Sequence, residues 1–134
     1  MRIYLDTCCL QRPFDDQTQP RIRVEAEALL AVLAAIEAGD CVLLTSEALE
    51  FEIQRIPDDD RRREAFAILT LAGERLIINQ ASEALAVLLE KAGLSAIDAL
   101  HVALASEAAA DFFATTDDKL LPAALSNSAN FLRA

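Results

Sequence analysis

Met1-Arg2-Ile3-Tyr4-Leu5-Asp6-Thr7-Cys8 decides how the rest of the chain is read. An apolar run that stops abruptly on an acid has the composition of a buried strand whose carboxyl end carries a functional group. In an open parallel sheet the ligand crevice lies beyond the carboxyl ends of the strands, so an acid at this point is placed to face it. Asp6 also suits a simple turn cap. What separates the two readings is the company Asp6 keeps further along.

Outward from this strand, Cys9 to Pro20 reads as a loop, because Arg12-Pro13-Phe14-Asp15-Asp16 carries turn residues and no periodicity. From Arg21 to Ala38 the apolar residues Ile22, Ala26, Leu29, Leu30, Leu33 and Ile36 recur at helical spacing. Arg21 with Glu25 and Arg23 with Glu27 form i,i+4 pairs expected on its outer side. Gly39 ends the helix, and Cys41-Val42-Leu43-Leu44 is a short, continuously apolar strand. Strand, helix, strand implies a right-handed crossover and a parallel sheet, hence an α/β chain.

Thr45 or Ser46 can cap the next helix, which runs to about Ile56 before Pro57. Leu49, Ile53 and Ile56 make its inner stripe, with Glu47, Glu50 and Gln54 on the opposite, wet side. Glu52 falls with the inner stripe, where an acid is costly unless paired or metal-bound; the bland reading is a glutamate at the stripe's edge, reaching water. Asp58-Asp59-Asp60 and Arg61-Arg62-Arg63 open another helix with acids in its first turn.

Glu74 to Asn79 gives a third strand, and Ala81 to Lys91 a helix ending at Gly93. Ser95 to Ala105 is apolar nearly all round, the pattern of a central helix. Its polar members, Asp98 and His101, share one face at i and i+3. Ser95-x-x-Asp98 is a capping-box pattern, compatible with an acid that also points toward the crevice. His101 alone reads as a neutral core histidine bonded to a carboxylate or carbonyl. Asp111 to Thr115 is a fourth strand ending on Thr116-Asp117-Asp118, which repeats the Leu5-Asp6 pattern, although Asp117 also suits the N-cap of a short helix over Lys119 to Leu125. Asn130-Phe131-Leu132 adds an edge strand or packs the terminus.

The length of 134 residues fits one domain, 1–134, and 54% hydrophobic residues with 3 Gly and 4 Pro exclude a disordered chain. The apolar run Ala28 to Ile36 is far shorter than the roughly 20 residues of a membrane span. No signal peptide is recognisable before the first strand, so a cytoplasmic location is expected. Cys8, Cys9 and Cys41 lack the paired spacing of a zinc site and read as reduced thiols. A formal charge of −10 disfavours nonspecific nucleic-acid binding. It does not exclude a nuclease, because acids gathered around a divalent cation reverse the field that a phosphate meets.

Asp6 and Asp117 at strand ends, Glu52 on the inner side of a helix and Asp98 at the start of a buried one make an oxygen-only set with no basic partner. Such a set suits Mg2+ or Mn2+, which bind through few carboxylates and keep positions for water and substrate phosphate. One or two such ions can activate a water and stabilise the leaving oxygen of a phosphodiester.

Over nearly its whole length the chain resembles the PIN-domain ribonucleases, which include the toxins of VapBC toxin-antitoxin pairs. Leu5-Asp6-Thr7 resembles the family's opening strand and first acid, and Ser46 followed six residues later by Glu52 its second. Asp98-Ala99-Leu100-His101 with Val102-Ala103-Leu104-Ala105 resembles the third-acid helix. Thr115-Thr116-Asp117-Asp118-Lys119-Leu120 resembles the Thr-x-Asp element with the fourth. The resemblance implies a three-layer α/β/α fold with a central, mostly parallel sheet of four to five strands. It also implies Mg2+- or Mn2+-dependent cleavage of RNA by Asp6, Glu52, Asp98 and Asp117, frequent homodimers and often a protein antitoxin. Cys8 departs from the family, many of whose members carry Asn or Ser there, and Asp117 and Asp118 compete for the fourth position.

Arg12, Arg55, Arg61, Arg62 and Arg63 are candidates to meet an RNA backbone, or else form a solvated cluster. An aspartate-nucleophile phosphatase would need a second acid where Cys8 stands, and a receiver-like phosphoacceptor would need differently spaced acids. The remaining rival is a non-catalytic binding or scaffold module that keeps the fold with a weakened metal site.

Overall fold

β1 (Arg2–Leu5) lies at the centre of a five-stranded sheet, where it pairs in parallel with β2 (Val42–Ser46) on one side and β4 (Phe112–Thr115) on the other. β3 (Glu74–Leu76) extends the sheet beyond β2, and β5 (Phe131–Arg133) beyond β4, both in parallel, giving the order β3-β2-β1-β4-β5. The computed structural model describes residues 1–116 and 131–133. Ile3, Tyr4 and Leu5 are consecutive and all buried, as a central strand covered on both faces requires.

The helices are α1 (Thr7–Gln11), α2 (Pro20–Glu37), α3 (Glu47–Gln54), α4 (Asp59–Leu69), α5 (Gln80–Lys91) and α6 (Ala96–Glu107), with a 3-10 turn at Arg12–Phe14. They flank the sheet in a three-layer α/β/α arrangement. Among the described residues, no helix is long and apolar enough to cross a membrane. The winding reverses between β1 and β4, so the carboxyl ends of these neighbours border the crevice where α/β sheets hold ligands. Asp6 and Thr115 sit at that point.

Local chemistry sets the helix starts. Ser46, Asp58, Asn79 and Ser95 accept from the amides of Leu49, Arg61, Ser82 and Asp98, three residues on in each case. Ser95 thus supplies the expected cap to the helix that carries Asp98. Gly39 and Gly93, with φ of 82° and 110°, take the left-handed backbone that follows α2 and α5.

Five readings of the sequence are corrected. Cys9 to Pro20 is not all loop: Asp6 caps α1 through the Thr7 amide, and Cys9 and Leu10 turn into the core. Five residues are too few for a helical period to show. Glu25 is buried rather than on an outer face, because Arg12, brought in from the 3-10 turn, joins Arg21 around its Oε1 at 3.6 and 3.0 Å. Leu30, counted with the inner stripe of α2, is instead 58% exposed.

The third strand stops at Leu76 instead of Asn79. The Ile78 amide donates to Glu47 Oε1 at 2.8 Å, and Asn79 leaves to cap α5. Consequently Glu47 and Glu50 do not lie on a merely wet side of α3, since Glu50 pairs with Arg75 of β3 at 2.7 Å. Asn130-Phe131-Leu132 anticipated an edge strand, which occurs one residue later as β5.

Candidate metal centre

Asp6 begins the site. Its backbone amide continues the β1–β4 ladder by donating to the Ala114 carbonyl at 3.0 Å, which fixes the residue at the mouth of the crevice. Its Oδ1 accepts from the Thr7 amide at 2.8 Å and its Oδ2 from Thr115 Oγ1 at 3.0 Å. Asp6 is therefore both the cap of α1 and a buried acid at the switch point, so the two readings of it were not exclusive. Burial foremost, then the sulfur of Cys8, pushes its carboxyl up to about 7.

Glu52 reaches the same point from α3. Its Oε1 accepts from Thr7 Oγ1 and lies 3.0 Å from His101 Nε2, which is itself 4.0 Å from Asp6 Oδ1. Burial pushes the Glu52 carboxyl up, but the hydrogen bonds from His101 and Thr7 outweigh it and leave the group below the usual glutamate range. Burial also lowers His101, and Glu52 with Asp6 overcomes this and raises the imidazole above its ordinary value. One ligand atom each from Asp6, Glu52 and His101 falls within 4.8 Å of the others.

The expectation of four acids without a basic partner is thus corrected: His101, wholly buried on α6, stands among them. Its signal was the i,i+3 spacing from Asp98. Asp98 lies one turn earlier and, half-buried, lines a cleft of about 530 Å³ together with Asp6, Cys8, Glu52, Phe51 and Arg55. Asp98 is on the wall of this cleft but is not part of the tight three-residue cluster. Asp117 and its neighbour Asp118, with the helix expected over Lys119 to Leu125, lie outside the described residues.

Cys8 enters the site although sequence reading assigned it no chemistry. Its thiol lies 3.4 Å from Asp6 Oδ2 and 3.6 Å from Thr115 Oγ1, and its sulfur accepts from the Thr116 amide at 3.4 Å. It occupies the position that supports the first acid.

The arginines divide. Arg12 pairs with Asp15 at 2.9 Å as well as with Glu25, and Arg61 binds Asp15 and the Phe14 carbonyl at 2.7 and 2.6 Å. Arg62 donates to the Ile56 carbonyl and to Asp59, and Arg63 to Asp60 at 3.2 Å. Arg55, stacked 5.2 Å over the Phe51 ring, is the one of these five that lines the cleft.

The donor set suits a hard cation on its own chemistry. Asp6 and Glu52 offer carboxylate oxygens at the base of an open cleft, and among the described residues no lysine or arginine pairs with either. Burial, foremost, keeps the Asp6 carboxyl protonated up to about pH 7, and a cation bound between Asp6 and Glu52 would favour the ionised form instead. The residues fit a divalent ion.

The sequence profile of the family described as the PIN domain matches residues 3–124. Among curated proteins none matches the chain. Solved structures that share its fold include two whose chains it covers almost entirely. One is FitAcB from Neisseria gonorrhoeae, with a TM-score of 0.60 at 20% identity, covering 97% of this chain and 96% of that one. The other is VapBC2 from Rickettsia felis bound to a DNA fragment from their promoter, with a TM-score of 0.55 at 16% identity, covering 99% and 98% of the two chains.

Proposed function

Because the chain belongs to the PIN-domain family, we propose that it is a Mg2+- or Mn2+-dependent endoribonuclease, the toxin of a toxin-antitoxin pair. The observation that carries this reading is the meeting of Asp6 and Glu52 beyond the end of β1, at the base of a cleft that Asp98 also lines. Asp6, Glu52 and Asp98 hold the ion, with Asp117 as the fourth acid that the family resemblance supplies. Such an ion, when bound, activates a water and neutralises charge on a phosphodiester.

The chain's own residues do the rest. Thr7 and Thr115 keep Asp6 pointed into the crevice, His101 and Thr7 keep Glu52 ionised, and Arg55 offers a cation to an RNA phosphate on the cleft wall. The likeness of fold to VapBC2 supports a protein antitoxin as partner, and the family resemblance a homodimer. A non-catalytic binding module is the second reading, favoured by the thiol of Cys8 in a position where relatives carry an amide or hydroxyl. Purified protein should cleave single-stranded RNA with Mg2+ or Mn2+, and neither in chelator nor as Asp6→Asn. Metal uptake without cleavage of any RNA would leave the binding module standing instead.

A further inference from the structure

Behind the cleft a chain of buried hydrogen bonds runs to Glu52. Ser46 Oγ lies 2.7 Å from the Tyr4 hydroxyl, the hydroxyl 2.6 Å from His101 Nδ1, and His101 Nε2 3.0 Å from Glu52 Oε1. Tyr4, Ser46 and His101 have no exposed surface. Each sits on the element that presents an acid: Tyr4 two residues before Asp6 on β1, Ser46 at the cap of α3 six residues before Glu52, and His101 three after Asp98 on α6.

The proton inventory orders this chain. Glu52 as a carboxylate only accepts, so His101 Nε2 carries a hydrogen and donates it. In the neutral ring Nδ1 then has only a lone pair and takes the Tyr4 O–H. The Tyr4 oxygen in turn accepts from Ser46, whose own oxygen still accepts the Leu49 amide that starts α3. Every buried polar atom along the chain is satisfied, a condition under which such networks fix one geometry. His101 does not line the cleft, whereas Glu52 does.

We infer that His101, directed by Tyr4, is a positioning residue that holds Glu52 toward Asp6 and is not itself a metal ligand. This rests on the reading of Asp6 and Glu52 as holders of a divalent ion. Partners one bond behind a metal-holding group typically change affinity or activity by about 10–100-fold when removed. Tyr4→Phe removes one hydroxyl and leaves the ring stacked on Phe113, and His101→Gln keeps an amide donor, so two graded variants test the chain.

Mn2+ binding to wild type, Tyr4→Phe, His101→Gln and, as the variant with no donor, His101→Phe, followed by calorimetry, is the first measurement. The expected result is affinity about tenfold or more weaker in Tyr4→Phe, with cooperative unfolding retained, and His101→Gln weaker than wild type but stronger than His101→Phe. His101 is the sole histidine in the sequence, so nitrogen-15 imidazole spectra report it without ambiguity. The Nε2 proton should persist when Mg2+ is added. Loss of that proton on Mg2+ binding would make His101 a ligand and overturn the inference, as would wild-type Mn2+ affinity in both Tyr4→Phe and His101→Gln. If wild type itself takes up no Mn2+, the metal-site reading fails and this inference falls with it. If wild type binds and the variants bind equally, this inference alone falls.

Discussion

Thr115 Oγ1 donates to Asp6 Oδ2 at 3.0 Å, joining the ends of two neighbouring strands across 109 residues of sequence. The bond favours the ionised acid, yet burial outweighs it and the carboxyl stands at about 7. Below about pH 4 the folded and unfolded chains both hold this proton. As pH rises from there to about 7, the unfolded chain releases it first, so folding stability falls through that window. The cost reaches on the order of 4 kcal/mol above pH 7 in metal-free protein. Asp6→Asn should therefore gain stability over wild type as pH rises from 4 to 7 in chelator, measured by urea unfolding at each pH. Equal curves for the two proteins would contradict the raised carboxyl.

Asp98→Asn keeps the acceptor at the start of α6 and removes one charge from the cleft. In chelator it should melt at or above the wild-type temperature. Mn2+ at 100 times its dissociation constant should stabilise wild type by about 2.7 kcal/mol through mass action and the variant much less. Unfolding of Asp98→Asn with or without metal would make Asp98 a structural cap.

Arg61 ties Asp15 and the Phe14 carbonyl to α4, so Arg61→Ala should cost about 1 kcal/mol while leaving RNA affinity nearly unchanged. Arg55→Ala should do the reverse, lowering affinity and flattening its salt dependence by about one phosphate contact. Filter binding across a salt series separates the two. The same loss in both variants would return the whole cluster to the RNA interface.

Glu25 is 2% exposed between Arg12 and Arg21. Glu25→Ala removes the buried acceptor shared by Arg12, which keeps Asp15, and by the half-exposed Arg21, and should destabilise by about 2 kcal/mol, read as a lower midpoint in urea. A Glu25→Ala midpoint within error of wild type would show that the arginines simply turn outward.

The local pattern of the chain determined a good deal. Runs such as Ile3-Tyr4-Leu5 and Leu43-Leu44 had to be covered on both faces, and strand-helix-strand order then left only a parallel sheet. Asp6, at the end of such a run, was legible because the ligand crevice of a parallel sheet lies beyond the carboxyl ends of its strands, and Glu52 because an acid on the inner side of a helix is expensive without a purpose. Asp98 and His101 were legible as a pair on one helix face.

Only the tertiary structure decided what those residues meet. Tyr4 read as one more apolar strand residue and Ser46 as a cap, because a hydroxyl's partner 97 or 42 residues away leaves no mark in local periodicity. Cys8 stood out only against the family pattern, and its partners were set when β4 brought Thr115 and Thr116 beside it. Glu25 looked solvated because a helical wheel shows the face of its own helix and not the arginine that another segment lays over it. Side-chain partners come from strand order and crossover, which set distances that sequence spacing does not encode.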